Sequence, residues 1–210
     1  GSNVFTPELE LNFFSVTAKK ALDTGIPVYS DMHIYAPYHN KVASFIMQAV
    51  VNQYGDKLGV LAIHLSQRPI QKIMQESTGL GTSGETYLLG RDLLMRSNSR
   101  FSQDKNILLT SVKTNNTQLW QQYLDKKSNN NSEEKIPPDA VNMQDIQLYE
   151  GYRGFNVYGA QLAMEFSGVP MMLMAELSEA EALMPMQDLL YRVAFMVVLT
   201  FFIVLVFSIF

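Results

Sequence analysis

Several groups of residues in this sequence are of the kinds that do chemistry. Gly79-Leu80-Gly81-Thr82-Ser83-Gly84 spells G-x-G-x-x-G, the pattern in which a glycine turn brings a pyrophosphate to a helix N-terminus. That use needs a strand before the turn and a helix after it. Here a helical pattern precedes and a strand-like run, Glu85–Leu89, follows. A kinase phosphate loop does lie between strands, but the chain has no V-A-I-K strand, no H-R-D loop and no D-F-G. The glycines therefore predict a chain turn, not a nucleotide site. The histidines are His33, His39 and His64; none forms an i, i+4 pair, and no carboxylate cluster completes a metal site. Without a G-x-S-x-G elbow, nothing places a hydrolase triad. No catalytic residue, metal or cofactor is expected.

The strand-like run Val28–Tyr35 is more informative. At a two-residue period Tyr29, Asp31, His33 and Tyr35 share one face, and Val28, Ser30, Met32 and Ile34 the other. Two phenols, a carboxylate and an imidazole on one face form either a solvated strand surface or a polar-aromatic ligand pocket. His64, inside the apolar run Leu58–Leu65, is either a satisfied core histidine or a donor on a pocket floor. Arg91, Arg96, Arg100 and Arg153 fall near predicted turns, where they are solvated, pair with acids such as Asp92 or Asp104, or form an anion site.

The elements that would position these groups read as follows. Pro7, Glu8 and Glu10 open a helix that Gly25 and Pro27 close. Strands follow at Ile26–Tyr35, Val42–Val51 and Leu58–Leu65, the last two as a hairpin around Gln53–Asp56. Ser66 caps a short helix with Pro69 in its first turn, apolar at Ile70, Ile73 and Met74, and ended by Gly79. Strands at Glu85–Leu89 and Leu93–Ser97 flank Gly90–Asp92. Val112–Lys127 is helical, with Leu119, Trp120 and Tyr123 apolar. Lys126–Lys135, followed by Pro137-Pro138, is a polar exposed loop. Strands Ile146–Tyr149, Phe155–Phe166 and Met171–Leu177 complete the sheets, and Ser178 with Glu181 forms a capping box for the last helix. The class is α+β with antiparallel sheets.

That last helix has no breaker except Pro185, where a bend is expected. Val193–Phe210 runs eighteen residues without a charge. As a helix it is about 27 Å long, close to a bilayer's hydrocarbon thickness. Tyr191 and Arg192 suit the headgroup zone. We expect a transmembrane helix at 193–210, joined without a linker to a signalling helix at 178–192. Over the 210 residues, 16 basic against 20 acidic side chains give a net charge of −4, which argues against a nucleic-acid partner. Zero cysteine excludes disulfides and thiolate chemistry. Gly1-Ser2 in place of a methionine reads as a cleavage scar, and the stop at Phe210 as the edge of a fragment.

GLGTSGETYLLGRDLLMRSNSRF (79–101) resembles a signature of double Cache-type sensor regions, also called PDC or PAS-like, which lie outside the membrane in bacterial receptors. YRGFNVYGAQLAMEFSGVPMMLMAELSEAEALMPM (152–186) is similar to the closing strands and exit helix of that family. VYSDMHIYAP (28–37) with GVLAIHLSQRPIQKIM (59–74) is similar to the last strands and linking helix of its membrane-distal module. The resemblance implies PAS-like antiparallel sheets with flanking helices: a distal module at 3–78, incomplete at its N-terminus, and a proximal one at 79–177. It further implies a periplasmic, dimeric, inner-membrane sensor. Its last membrane helix would drive a cytoplasmic output such as an adenylate or guanylate cyclase, a chemotaxis domain or a histidine kinase.

The departures shape the ligand expectation. Amino-acid-binding members carry R-x-W-Y and an aspartate ending a G-V-x-x-x-D strand; here R-x-W-Y is missing and His64 takes the aspartate position. An ammonium group gains most from a carboxylate, so amines are disfavoured and a carboxylate or neutral ligand is expected. The expected contacts are Tyr29, Asp31, His33, Tyr35 and His64. Leu183, Met186, Leu190, Val193 and Val197, at 3-4 spacing, would line a homodimer seam. The rival expectations are a partner-binding or structural ectodomain with no small ligand, and a membrane-anchored enzyme for which no substrate suggests itself.

Overall fold

A computed structural model describes residues 12–101, 107–130 and 146–209. The expected helix start at Pro7–Glu10, Asp104, the later half of the polar loop with Pro137-Pro138, and Phe210 lie outside these residues.

Asn12 opens helix α1 (Phe13–Thr24) by accepting the Ser15 amide, and Gly25, at φ 69°, closes it by donating to the Ala21 carbonyl. That left-handed position is where glycine carries no steric penalty. Three antiparallel strands follow, β1 (Val28–Tyr35), β2 (Lys41–Val51) and β3 (Lys57–His64), in the order β1-β2-β3. Helix α1 buries Ala18 and Ala21 against Val28, Ala43, Phe45 and Met47 of this sheet. The small alanines let the helix sit close.

Helix α2 (Arg68–Met74) carries Pro69 in its first turn, as expected. It ends at Met74 and not at Gly79, because the Glu76 carboxylate takes the amides of Ser77 and Thr78 and turns the chain early. The second sheet has the order β4-β7-β6-β5, built from β4 (Glu85–Gly90), β5 (Gln147–Glu150), β6 (Asn156–Phe166) and β7 (Val169–Ser178). Leu93–Ser97 is not a strand. Leu93 adopts φ 62° and only isolated bridges, Leu89 to Met95 and Leu94 to Ser111, form there.

Helix α3 (Asn115–Asn130) covers this sheet. Thr114 and Thr117 cap its start reciprocally, each hydroxyl accepting the other's amide, at 3.2 and 2.8 Å. Its buried side is Trp120 and Leu124 with Tyr123 partly covered, while Leu119 is exposed. They meet Tyr87, Leu89, Leu93, Met95, Val112, Met172 and Met174. The helix runs on through the first five residues of the expected polar loop, which hold no glycine or proline to stop it.

β7 passes directly into α4 (Glu179–Ile209), a single helix containing Pro185. Residues Glu179–Val206 are long and apolar enough to cross a bilayer, and none of that stretch is buried. At 1.5 Å per residue α4 is about 46 Å long, so it has length to spare beyond the hydrocarbon.

The Trp120 ring is fully buried, and its indole N–H has no hydrogen-bond partner. Trp120→Ala should therefore cost about 3–5 kcal/mol of stability. Trp120→Phe should cost less than half of that, because it keeps most of the packing and removes an unpaired donor. Denaturant unfolding in detergent micelles, followed by far-UV circular dichroism, checks the ranking.

Candidate functional site

The four side chains expected on one face of β1 are divided by a bulge. Val28, Tyr29 and Ser30 pair with Met47, Ile46 and Phe45, but His33, Ile34 and Tyr35 pair with Ala43, Val42 and Lys41, so the register shifts by one residue at Asp31-Met32. One extra residue turns every later side chain to the opposite face. His33 and Tyr35 therefore join Phe45 beneath α1, whereas Tyr29 stays with Ile46 on the far face. This corrects the single face read from the sequence. His64 is brought to the α1 side by its pairing with Phe45.

Beneath α1 these side chains form an aromatic cluster. His33 stacks on Phe13 at 5.7 Å between ring centroids and lies 6.1 Å from Phe45. Tyr35 stacks on Phe14 at 5.3 Å and meets Phe45 edge-on at 5.1 Å. His64 sits 5.5 Å from Phe45 and 5.1 Å from Tyr38. The Nδ1 of His33 lies 3.0 Å from the Asp31 carbonyl, which fixes it as the donor. Its Nε2 then carries a lone pair, and that atom is buried without a partner among the described residues. A ligand group able to donate a hydrogen bond would satisfy it.

Tyr29 and Asp31 meet different partners. The Tyr29 ring meets Phe166 of β6 edge-on at 4.8 Å, and burial pushes its pKa up against the opposing pull of a hydrogen bond with Ser44. Asp31 receives the Arg96 guanidinium in a fork, with Nε to Oδ1 and Nη2 to Oδ2 both at 2.9 Å. Asp92 adds a second carboxylate at 2.9 Å, and the Arg96 side chain is only 3% exposed. Burial alone would lower its pKa; the bonds to Asp31 and Asp92 outweigh that and raise it. The guanidinium crosses Gly90 so closely that a Cβ there would stand 2.2 Å from Nη2. The first sheet is thus pinned to the second through a bidentate ion pair.

Of the other arginines, Arg91 pairs with Asp125 on the surface at 2.7 Å, and Arg100 donates to the carbonyls of Gly81 and Gly84. Arg153 lies 3.1 Å from the buried Glu85. Glu85, Tyr87, Ser99, Tyr149, Tyr152, Arg153 and Glu176 make a polar cluster in the second sheet that sequence reasoning missed. A signal was present, since the period of β7 puts Glu176 on the same side as the buried Met172 and Met174.

The G-x-G-x-x-G segment has a structural use. Ser178 caps α4 as expected, its hydroxyl accepting the Glu181 amide at 3.2 Å. The Glu181 carboxylate does not return to Ser178 to complete a capping box. It accepts the amides of Thr82 at 2.7 Å and Ser83 at 2.6 Å, together with the Ser83 hydroxyl. Ser83 Oγ also bonds Ser178 Oγ at 2.8 Å and accepts the Ser178 amide at 3.1 Å. Gly81, at φ 65°, is required here because a Cβ would stand 2.2 Å from the Glu181 carboxylate. A cavity of about 250 Å³ lies beside this clamp, lined by Gly79, Leu80, Gly81, Gly84, Glu176, Leu177 and Glu181.

With this geometry in view, the chain can be set beside known proteins. No protein-family profile and no curated protein matches the sequence. Solved structures do. The ligand-binding domain of the amino-acid chemoreceptor PctC of Pseudomonas aeruginosa, solved with GABA, matches at TM-score 0.51 and 13% identity, covering 85% of this chain and 66% of that one. The periplasmic sensory domain of the Campylobacter jejuni chemoreceptor Tlp1 matches at 0.51 and 12%, covering 85% and 59%. The extracellular domain of the histidine-kinase-class protein mmHK1S-Z3 matches at 0.50 and 14%, again covering 85% and 59%. The chain thus spans 59–66% of the length of these domains. At such identities the likeness establishes the fold: a Cache-like α+β architecture of periplasmic sensor domains, here followed by an apolar helix. The three are described as a ligand-binding, a periplasmic sensory and an extracellular domain.

Removing Arg96 strands Asp31 and Asp92 against each other, so Arg96→Ala should cost about 3–5 kcal/mol. Gly90→Ala should mimic part of that loss by displacing the guanidinium, and a double-mutant cycle should show the two effects to be non-additive. For the clamp, loop bonding lowers the pKa of Glu181 to about 2 from an ordinary 4.5. Its contribution is present above 4.5 and fades as pH falls through about 2. Amide exchange at Thr82 and Ser83 should therefore stay protected at neutral pH and lose protection in Glu181→Gln.

Proposed function

We propose that this chain is the ligand-sensing, extracytoplasmic part of a bacterial transmembrane receptor, with a distal module at residues 3–78 and a proximal one at 79–177. The observation that carries this is the unbroken passage from β7 into α4. A sheet with the fold of periplasmic sensors continues, through the Ser83–Ser178–Glu181 clamp, into a helix fit to cross a bilayer. The receptor would sit in the inner membrane and pass its state to a cytoplasmic output, a nucleotide cyclase being one candidate. It would dimerise along Leu183, Met186, Leu190, Val193 and Val197, side chains that α4 leaves largely uncovered.

The ligand face we favour is the one beneath α1, contributed by His33, Tyr35 and His64. Tyr29 and Asp31, held against Phe166 and Arg96, transmit the change to the second sheet. That PctC was solved with GABA supports a small-molecule ligand for this fold. The chemistry here differs, since imidazoles stand where an ammonium would want a carboxylate. A neutral hydrogen-bond donor fits the Nε2 of His33. A ligand moves the helix only by its differential affinity for two arrangements, typically ~1–3 kcal/mol of coupling.

The alternative, a partner-binding ectodomain, is favoured by Leu61 and Ile63, which are 56% and 54% exposed on the face of the first sheet away from α1. A thermal-shift screen with small carboxylates, polyols and amines separates the two. We expect a carboxylate or neutral compound to raise Tm, and His33→Ala and His64→Ala to abolish that rise with little change in the unliganded Tm. A screen with no stabilising compound, combined with capture of a periplasmic protein that Leu61→Lys prevents, would favour the alternative.

A further inference from the structure

Glu85 and Glu176 stand directly opposite each other on β4 and β7. Residues so paired have Cβ atoms about 4.5–5.5 Å apart. Both are buried, at 0% and 3% exposure. Their surroundings are unequal. Glu85 takes the only cation in the cluster, Arg153, at 3.1 Å, along with hydroxyls from Ser99 at 2.6 Å and Tyr152 at 2.8 Å. Arg153 is fixed there between the rings of Phe101 and Phe155, at 4.2 and 4.7 Å.

Glu176 receives only neutral donors. The phenols of Tyr87 from β4, at 2.5 Å, and Tyr149 from β5, at 2.8 Å, both reach its Oε1. Its Oε2 is buried with no partner. On α4, Glu181 is already occupied by the Thr82 and Ser83 amides. Two buried carboxylates facing one guanidinium cannot both be ionised cheaply, because one negative charge is left uncompensated in low dielectric. A proton on Glu176 removes it. Burial is the main cause pushing the Glu176 pKa up, with the Glu85 charge adding to it; the two phenols and Arg153 oppose without cancelling the rise.

Position gives this pair its consequence. Glu85 lies two residues after Ser83, and Glu176 two residues before Ser178. The pair therefore sits next to the hydroxyl contact that holds the start of α4. We propose that the Glu85–Glu176 pair binds one proton, on Glu176, and that its release separates β4 from β7 beside the clamp and repositions α4. This is a second input, separate from any ligand beneath α1.

The sign is set by the raised pKa. The stability given by the neutral acid is complete below the ordinary carboxyl value of 4.5 and lost as pH rises through the higher native value. The test uses the full chain in zwitterionic phospholipid nanodiscs, with carbon-13-labelled glutamate, titrated from about pH 4 to about pH 9 by infrared difference spectroscopy. A protonated-carboxyl band should persist above the ordinary glutamate range and be lost in Glu176→Gln. In Glu85→Gln the freed Arg153 can turn to Glu176, so the band should remain but titrate at lower pH. Absence of the band from the wild type, or its survival in Glu176→Gln, would overturn the site; should Glu176→Gln fail to fold, the Glu85→Gln midpoint decides in its place. For the coupling, Ala180→Cys gives a unique spin-label position because the chain has no cysteine. Label mobility should change with the midpoint of the band, and a band that titrates beside an unchanging label would refute the coupling.

Discussion

The arrangement depends on how the last strand becomes the membrane helix. Ser178 ends β7, and its hydroxyl accepts the first turn of α4 while bonding Ser83 at the mouth of β4. Glu181, one turn into the helix, is held by two amides of the same loop. The helix is therefore fixed to two neighbouring strands, β4 and β7, and not merely tethered to one. A flexible linker at this point would let the sheet move without consequence. Here β7 runs into α4 with no residue between them.

The same logic holds at the far end. The contacts between the first sheet and the second include a buried guanidinium forked onto Asp31 and an aromatic edge contact from Tyr29. Both residues lie on β1 at or before its bulge, and the aromatic cluster beneath α1 begins just after it. The bulge turns His33 and Tyr35 toward α1 and leaves Tyr29 and Asp31 facing the second sheet. Packed interiors respond to displacement by switching between arrangements, since they are close-packed and not fluid.

Much of this was legible in the sequence. The glycine closing α1, Pro69 in α2 and the long apolar run of α4 are local signals, and, apart from the one expected at Leu93–Ser97, the strands stand within two residues of their expected places. What escaped were features decided by a single backbone position or a distant partner. The bulge at Asp31-Met32 contains neither glycine nor proline, so periodicity alone counts straight through it and assigns His33 to the wrong face. Leu93 takes a left-handed conformation that leucine rarely adopts, and the strand expected there is lost. Glu181 has the spacing of a capping box, yet its carboxylate finds two loop amides brought close by the packing of β4 beside β7, which bind it better than one amide of its own helix.

The polar cluster of the second sheet shows why such distant pairings matter for a signalling fold. Buried carboxylates and phenols give little net stability, and an apolar core of similar volume would serve a static protein as well or better. What they offer instead is a second charge state. An apolar contact such as Trp120 on Met172 has one good arrangement and a steep penalty for leaving it. Glu176, with both phenols on one oxygen and nothing on the other, has a neutral state that tolerates Glu85 and a charged state that does not. Glu176 lies two residues before Ser178, beside the clamp and not at the sheet's far edge.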